Sequence, residues 1–287
     1  MVILFDALAR LPLSVLHRLG ALFGWMTYLL SSRYSSRLRE NLHKAGLARS
    51  GAELNKLMHT NIREMGKGVL ELPWVWRRPF AKVVASVTQV HGREHFEAAQ
   101  TQGKGVIVLT PHTGCFEVIG LYIAARLPMT CLYRVPRWKF LDTLMHEGRE
   151  RGQMKLAPAD LGGVRQLLKA LKKGEVIGVL PDQVPGNGEG EWAPFFGRPA
   201  YTMTLIGRLI QSSGAGVVMC VSERLPRGEG YALHFTPLSF DVAVSIPRQM
   251  NAALEQVIRD HPEQYLWSYN RYKVPRGALP PDAVKEH

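Results

Sequence analysis

Cysteine is scarce in this 287-residue sequence: Cys115, Cys131 and Cys220 are odd in number and lack metal-type spacing. That excludes a paired disulfide framework and suits a reducing compartment. Long apolar runs are missing as well. The best candidate, Leu11 to Leu30, is interrupted by His17 and Arg18, leaving Leu19 to Leu30, which is short of the roughly 20 residues a bilayer span needs and makes spanning marginal. No small-residue cleavage site follows it, and Arg33, Arg37 and Arg39 come next, so a cleaved secretory signal does not fit. No linker divides the chain, no internal repeat is visible, and no recognised nucleic-acid-binding element occurs. Acidic residues are the remaining shortfall. With 24 Asp and Glu against 36 Lys and Arg, the net charge is +12, and charge alone would admit nucleic acid, an acidic protein, a phosphorylated substrate or an anionic membrane as partner.

What is present is a hydrophobic share of 46%, enough for a sizeable core, and one stretch that organises the rest. Gly105 to Ala125 reads as strand, loop and helix: an apolar run, a turn punctuated by Pro111 and Gly114, then a second apolar run. His112 then sits just past a buried strand's carboxyl end, where open α/β sheets place ligands, and Glu117 falls in the first helical turn. An imidazole takes up protons usefully near neutral pH, and a carboxylate on its other nitrogen fixes the tautomer. Five residues across a turn can bring Glu117 round to His112, giving a dyad that activates a hydroxyl or water. The spacing equally suits a plain loop histidine and a glutamate favoured by the helix dipole. One His and one Glu at this spacing lack a third ligand in sequence, so no metal site is expected there. Cys115 lies in the same loop, with no neighbour to lower its pKa.

In chain order, Leu11 to Leu30 fits a helix in the membrane interface, with Trp25 and Tyr28 as interfacial side chains and the following arginines meeting lipid phosphates; an N-terminal core helix is the alternative. Leu54, Leu57, Met58, Ile62, Met65, Val69 and Leu72 recur at helical spacing up to Pro73. Trp74 and Trp76, followed by Arg77, Arg78 and Lys82, form a basic-aromatic edge that extends the membrane-facing surface or is simply solvated. Met129 to Tyr133 reads as a strand, and Arg134, Arg137, Arg149 and Arg151 beyond it are suited to binding phosphates or an oxyanion. A helix through Val164, Leu167, Leu168 and Leu171 precedes a buried strand, Val176 to Leu180, which puts Asp182 at the same kind of strand end as His112. Val184 to Pro199 reads as a long loop over a site or membrane, carrying Trp192, Phe195 and Phe196; its glycines do not match a phosphate loop. Further strands at Ala215–Val221 and Tyr231–Thr236 and a helix from Pro247 to His261 complete an α/β protein: a central, mostly parallel or mixed sheet flanked by helices, with a helical N-terminal arm.

Five elements in order, His112-x4-Glu117, Tyr133-Arg134-x-Pro136, Arg149, Leu180-Pro181-Asp182-Gln183 and Pro262-Glu263-Gln264-Tyr265-Leu266-Trp267, resemble the late acyltransferases of lipid A biosynthesis. These are the lauroyl/myristoyl branch of the lysophospholipid acyltransferase superfamily, and the likeness covers nearly the whole chain. It implies a membrane-anchoring arm over 1–48, an acyltransferase domain over 49–276 and a tail over 277–287. The implied reaction moves a fatty acyl group from acyl-acyl carrier protein to a hydroxyl on an acyl chain of a Kdo-bearing lipid A precursor, at the cytoplasmic face of a bacterial inner membrane, without metal or bound cofactor. By the match of motifs, His112 is the general base with Glu117 as its partner. Arg149 and Asp182 are further active-site residues, and Arg134, Arg137 and Gln183 are substrate-binding positions. The sequence departs from the family pattern at Arg137-Trp138-Lys139, at Val217-Val218-Met219, which lacks a proline, and at Asn270. Two other readings have the same motifs to explain: a superfamily relative acting on another lysophospholipid or glycolipid, and a catalytically silent lipid-binding protein.

Overall fold

A computed structural model describes residues 2–136, 138–186 and 188–281. The N-terminal third is helical: α1 (Val2–Arg10), α2 (Leu13–Leu30), α3 (Ser32–Lys44), α4 (Gly51–Arg77) and α5 (Phe80–Ala85). Strands and helices then alternate as β1 (Val87–His91), α6 (Arg93–Thr101), β2 (Val106–Leu109), α7 (Glu117–Ala124), β3 (Met129–Tyr133), α8 (Lys139–Arg149), β4 (Met154–Pro158), α9 (Leu161–Lys172) and β5 (Val176–Val179). A hairpin of β6 (Gly190–Phe195) and β7 (Arg198–Met203) follows, then α10 (Leu205–Ser213), β8 (Gly216–Arg224), β9 (Tyr231–Leu238) and α11 (Ile246–Asp260).

Seven strands make one sheet in the order β1-β9-β8-β2-β5-β3-β4. Every neighbouring pair is parallel except β8 and β9, which is the mostly parallel α/β sheet the alternation predicts. All four positions of β2 and of β5 are buried, as befits central strands with both faces covered. Ile107 and Leu109 join one hydrophobic cluster and Val106 and Val108 the other, following the period of two along a strand. The register aligns Leu109 with Val179 on one side and Met219 on the other, so the loops after β2 and β5 leave the sheet side by side.

The N-terminal helices are built into this body. Gly20 and Gly24 of α2 lie so close to α4 that a Cβ on Gly66 would sit 2.0 Å from the Gly20 carbonyl oxygen. Beneath that contact, Arg224 of β8 is buried between Glu71 and Glu64, with Nη1 2.8 Å from Glu64 and Nε and Nη2 each 2.7 Å from Glu71; His17 of α2 closes the group at 2.6 Å from Glu71.

Several sequence expectations change here. Tyr28 is buried, accepting from Arg39 Nε at 2.6 Å and contacting Met58, and Trp25 is half-buried against the core beside it. The exposed residues of α2 are instead Val15, Arg18, Leu19, Leu22, Phe23, Met26, Leu29 and Leu30. The α4 helix runs through Pro73 to Arg77, because burial of Trp74, Val75 and Trp76 outweighs the one backbone bond a proline forfeits. Most of the basic-aromatic edge is consumed internally: Arg77 pairs with Asp6 and Glu147, and Arg78 donates to the carbonyls of Arg10 and Leu11, while Lys82 is exposed. The stretch from Val184 to Pro199 contains β6 and half the hairpin, with Phe195 and Phe196 in the core. Trp192 donates to the Leu279 carbonyl at 3.0 Å. Of the expected tail, residues 282–287 lie outside the described chain, as does Arg137.

Candidate active site

His112 follows β2 by three residues and Asp182 follows β5 by three, and the shared register of the two strands brings them together. Asp182 Oδ2 accepts the backbone N–H of His112 at 2.9 Å, and Oδ1 lies 2.7 Å from His112 Nδ1. A buried carboxylate in contact with Nδ1 places the imidazole proton there and leaves Nε2 as the acceptor nitrogen. Burial pushes the Asp182 carboxyl up, but the charge and hydrogen bonds of His112, with help from Arg271, hold it below the ordinary carboxylate range. It therefore stays an acceptor at neutral pH. Nε2 points away from Asp182, 3.1 Å from the side-chain amide of Gln183, and the Phe116 ring packs edge-on against the imidazole with centroids 4.8 Å apart.

The loop around His112 is held by the chain's end. Leu266 donates its N–H to the His112 carbonyl at 3.1 Å, and Gly114 donates to the Gln264 carbonyl at 3.0 Å. Gly114 has a φ of +57°, and a Cβ there would sit 1.7 Å from the Ser222 carbonyl oxygen, so only glycine fits. Asn61 of α4 donates to the carbonyls of Glu263 and Tyr265, and Asn41 of α3 to those of Trp267 and Tyr269. The Pro262–Trp267 motif is thus the backbone strap that positions the histidine, tied in turn to the N-terminal helices.

Glu117 is not the partner of the His112 ring. It opens α7 facing α8 and α4, where Arg149 Nε reaches it at 2.9 Å, Arg149 Nη2 contacts its other oxygen, and Trp76 Nε1 donates at 3.1 Å. A bidentate guanidinium is a stronger claim on a buried carboxylate than a neutral imidazole. Burial pushes Glu117 up, but Arg149 foremost, then Trp76 and His112, hold it below its usual value. The result is a fixed ion pair beside the histidine, in which Nη1 of Arg149 is uncommitted among the described hydrogen bonds.

His112, Gln183 and Arg149 all line one cavity of about 610 Å³, a size typical of small-molecule sites. Its lining includes the apolar side chains Leu132, Met145, Val164, Leu168, Met203 and Leu209, with Arg134 exposed on it and Arg208 of α10 among the charged groups. Arg151 is elsewhere: its guanidinium binds the carbonyls of Gly148, Arg78 and Val75. Cys115 is buried, and burial pushes its thiol well up, which disqualifies it as a nucleophile. Trp76, Phe116 and Arg208, which sequence reasoning did not single out for the site, touch it or line it. Only for Trp76 was there a signal, a tryptophan at the end of an amphipathic helix.

Fold and site together define a class: an α/β enzyme with a carboxylate-held histidine at the strand ends, opening onto an apolar-walled cavity flanked by a guanidinium. Within that class, the chain belongs to the bacterial lipid A biosynthesis acyltransferase family, whose model matches residues 1–274. It is 30% identical over 276 residues to the lipid A biosynthesis lauroyltransferase of Escherichia coli (strain K12), covering 94% of this chain and 89% of that protein. The lipid A biosynthesis palmitoleoyltransferase of the same strain is 31% identical over 274 residues, covering 92% and 87%. The myristoyltransferase is 24% identical over 201 residues, covering 68% and 62%.

Proposed function

We propose that this protein transfers a fatty acyl group of the lauroyl/myristoyl class from acyl-acyl carrier protein to a hydroxyl on an acyl chain of a Kdo-bearing lipid A precursor, in lipopolysaccharide biosynthesis. The observation that carries the reading is the cavity of about 610 Å³ that His112 lines together with apolar side chains suited to a fatty chain. His112 Nε2 takes the proton of the acceptor hydroxyl as its oxygen attacks the thioester carbonyl, and Asp182 stabilises the imidazolium. When the tetrahedral intermediate collapses, the C–S bond breaks and the proton passes from Nε2 to the leaving sulfur. Arg149, oriented by Glu117, offers Nη1 to the developing oxyanion or an acceptor phosphate, with Gln183 and Arg134 as substrate contacts. The test is acyl transfer from a panel of acyl carrier protein thioesters, read by mass spectrometry. A gain of one acyl group by the lipid A precursor, abolished by His112→Ala, is expected; acylation of lysophosphatidate alone would reassign the acceptor, and no transfer to either would leave a lipid-binding role.

The enzyme works, on this reading, at the cytoplasmic face of the inner membrane. Among the described residues no helix is long and apolar enough to cross a bilayer; the exposed apolar side chains of α2 support the reading of an interfacial attachment. That face ends at Leu29 and Leu30, just before α3, where Arg33 and Arg37 join Lys273, Ser268 and Tyr269 around an open recess of about 440 Å³. Among the described residues no carboxylate lines it. Cations beside an apolar membrane face suit an acceptor's phosphates and carboxylates. Replacing Arg33 and Arg37 together by Gln is expected to raise the acceptor KM by roughly ten- to a hundredfold, as loss of charged hydrogen bonds should, with kcat and the donor KM little changed. A rise in the donor KM instead would assign the recess to acyl carrier protein.

A further inference from the structure

Outside the catalytic cavity, Glu223 of β8, His234 of β9 and His261 just beyond α11 converge. His234 Nε2 lies 3.0 Å and His261 Nε2 4.0 Å from the same carboxylate oxygen, Glu223 Oε2, and the three ligand atoms all lie within 4.8 Å of one another. We propose that they form a binding site for a divalent transition-metal ion of the zinc type, independent of the catalytic base.

The dimensions fit. Zinc bonds nitrogen and carboxylate oxygen at about 2.0–2.2 Å, so tetrahedral ligand atoms stand about 3.3–3.5 Å apart, and the two separations to Glu223 bracket that edge. Two imidazoles and a carboxylate are a donor set that suits zinc, nickel or copper over magnesium or calcium. The charges fit as well. Among the described residues, the ion-pair partners of Glu223 are these two histidines alone; without an ion His234 Nε2 donates its proton to Glu223 at 3.0 Å, and a metal would displace that proton to reach the lone pair. The side chains are a quarter to a third exposed, leaving a path for entry and a fourth position for water. The His91 ring stacks on His234 with centroids 4.9 Å apart and 19° between planes, limiting its rotation.

The location gives the ion a structural task. Ser222, next to Glu223, forms a bridge with Gly114 of the His112 loop. His261 accepts the backbone N–H of Gln264, whose own carbonyl receives the N–H of Gly114. A metal joining Glu223 to His261 cross-links the two segments that hold the catalytic loop.

The experiment titrates Zn2+ and Co2+ into the full-length, detergent-solubilised protein after chelator treatment. Calorimetry is expected to give one equivalent, and Co2+ a visible band of low coordination number. His234→Ala and His261→Ala should each weaken binding by roughly a hundredfold or more, whereas His43→Ala, on an exposed part of α3, should not. Zn2+ should raise the melting midpoint of the wild type and of His43→Ala but not of His261→Ala, a readout that requires the variant to be folded. Absence of stoichiometric binding, or binding that survives in both His234→Ala and His261→Ala, would overturn the site.

Discussion

Asp182→Asn is expected to lower kcat by roughly three to four orders of magnitude, with both KM values within a few-fold of wild type. The asparagine oxygen can still accept the His112 backbone N–H, now received by Oδ2 at 2.9 Å, so the loop keeps its shape. Its amide nitrogen, however, would face Nδ1 where a carboxylate oxygen stands 2.7 Å away. A donor there forces the ring proton onto Nε2, the atom that must be bare to receive the hydroxyl proton. It also removes the negative charge that stabilises the imidazolium. Glu117→Gln should behave differently, because Glu117 holds Arg149 and not the imidazole. It loosens the guanidinium and unbalances a buried ion pair, so its loss should be smaller in kcat and should come with a lower melting midpoint. Steady-state kinetics of the two variants with a saturating acceptor decide the matter. If Glu117→Gln loses as much kcat as His112→Ala while Asp182→Asn stays near wild type, the carboxylate that orients the base has been misassigned.

The matching strand-end positions of His112 and Asp182 were legible because they depend on strands; their contact was not, since Glu117 was the expected partner of His112. Two apolar runs, each ended by a proline immediately before an ionisable side chain, become neighbours once parallel pairing aligns Leu109 with Val179. Glu117 was misread because its direction is set from far away: Arg149 lies 32 positions on and Trp76 41 positions back. Local spacing permitted the turn back to His112, and the long-range ion pair decided against it. Tyr28 and Trp25 failed for a similar reason. An aromatic next to arginines reads as a membrane belt, and only the fold supplies Met58 and Arg39 as internal partners of Tyr28, and Tyr28 and His59 as neighbours of the half-buried Trp25. Asn41 and Asn61 gave no signal, since an asparagine on a helix earns its role from the carbonyls opposite it. The Pro262–Trp267 motif was recognised by resemblance, yet its physical work, holding the His112 loop through backbone bonds, needed the strap to be seen next to the loop.

The same strap links catalysis to the N-terminal helices, and Glu71 is where that link is most exposed to substitution. Arg224, fully enclosed, is neutralised by Glu71 and Glu64, while its backbone N–H and carbonyl pair with the Gln264 side chain at 2.8 and 3.1 Å. Glu71→Gln removes half of that neutralisation from a charge that cannot reach water. The expected loss is about 3–5 kcal/mol of stability, typical of breaking a buried pair from one side, and it should be seen as a clear fall in the melting midpoint. Glu71→Leu combined with Arg224→Met should recover part of it, because both charges leave together and Glu64 retains Lys67. The pH dependence follows from the carboxyl itself. Burial pushes Glu71 up, but Arg224 and His17 more than offset this and hold it at about 2, below the ordinary 4.5. A group depressed in the folded state contributes its full stability above the ordinary value and loses it as pH falls through the folded one. Wild-type stability should therefore decline between about pH 4.5 and 2, and the decline should be shallower in Glu71→Gln. A variant that melts with the wild type would show that α2 and α4 do not depend on this network. The hydrogen-bonded route from Glu71 through Arg224 and Gln264 to Gly114 would then have no energetic weight in positioning the base.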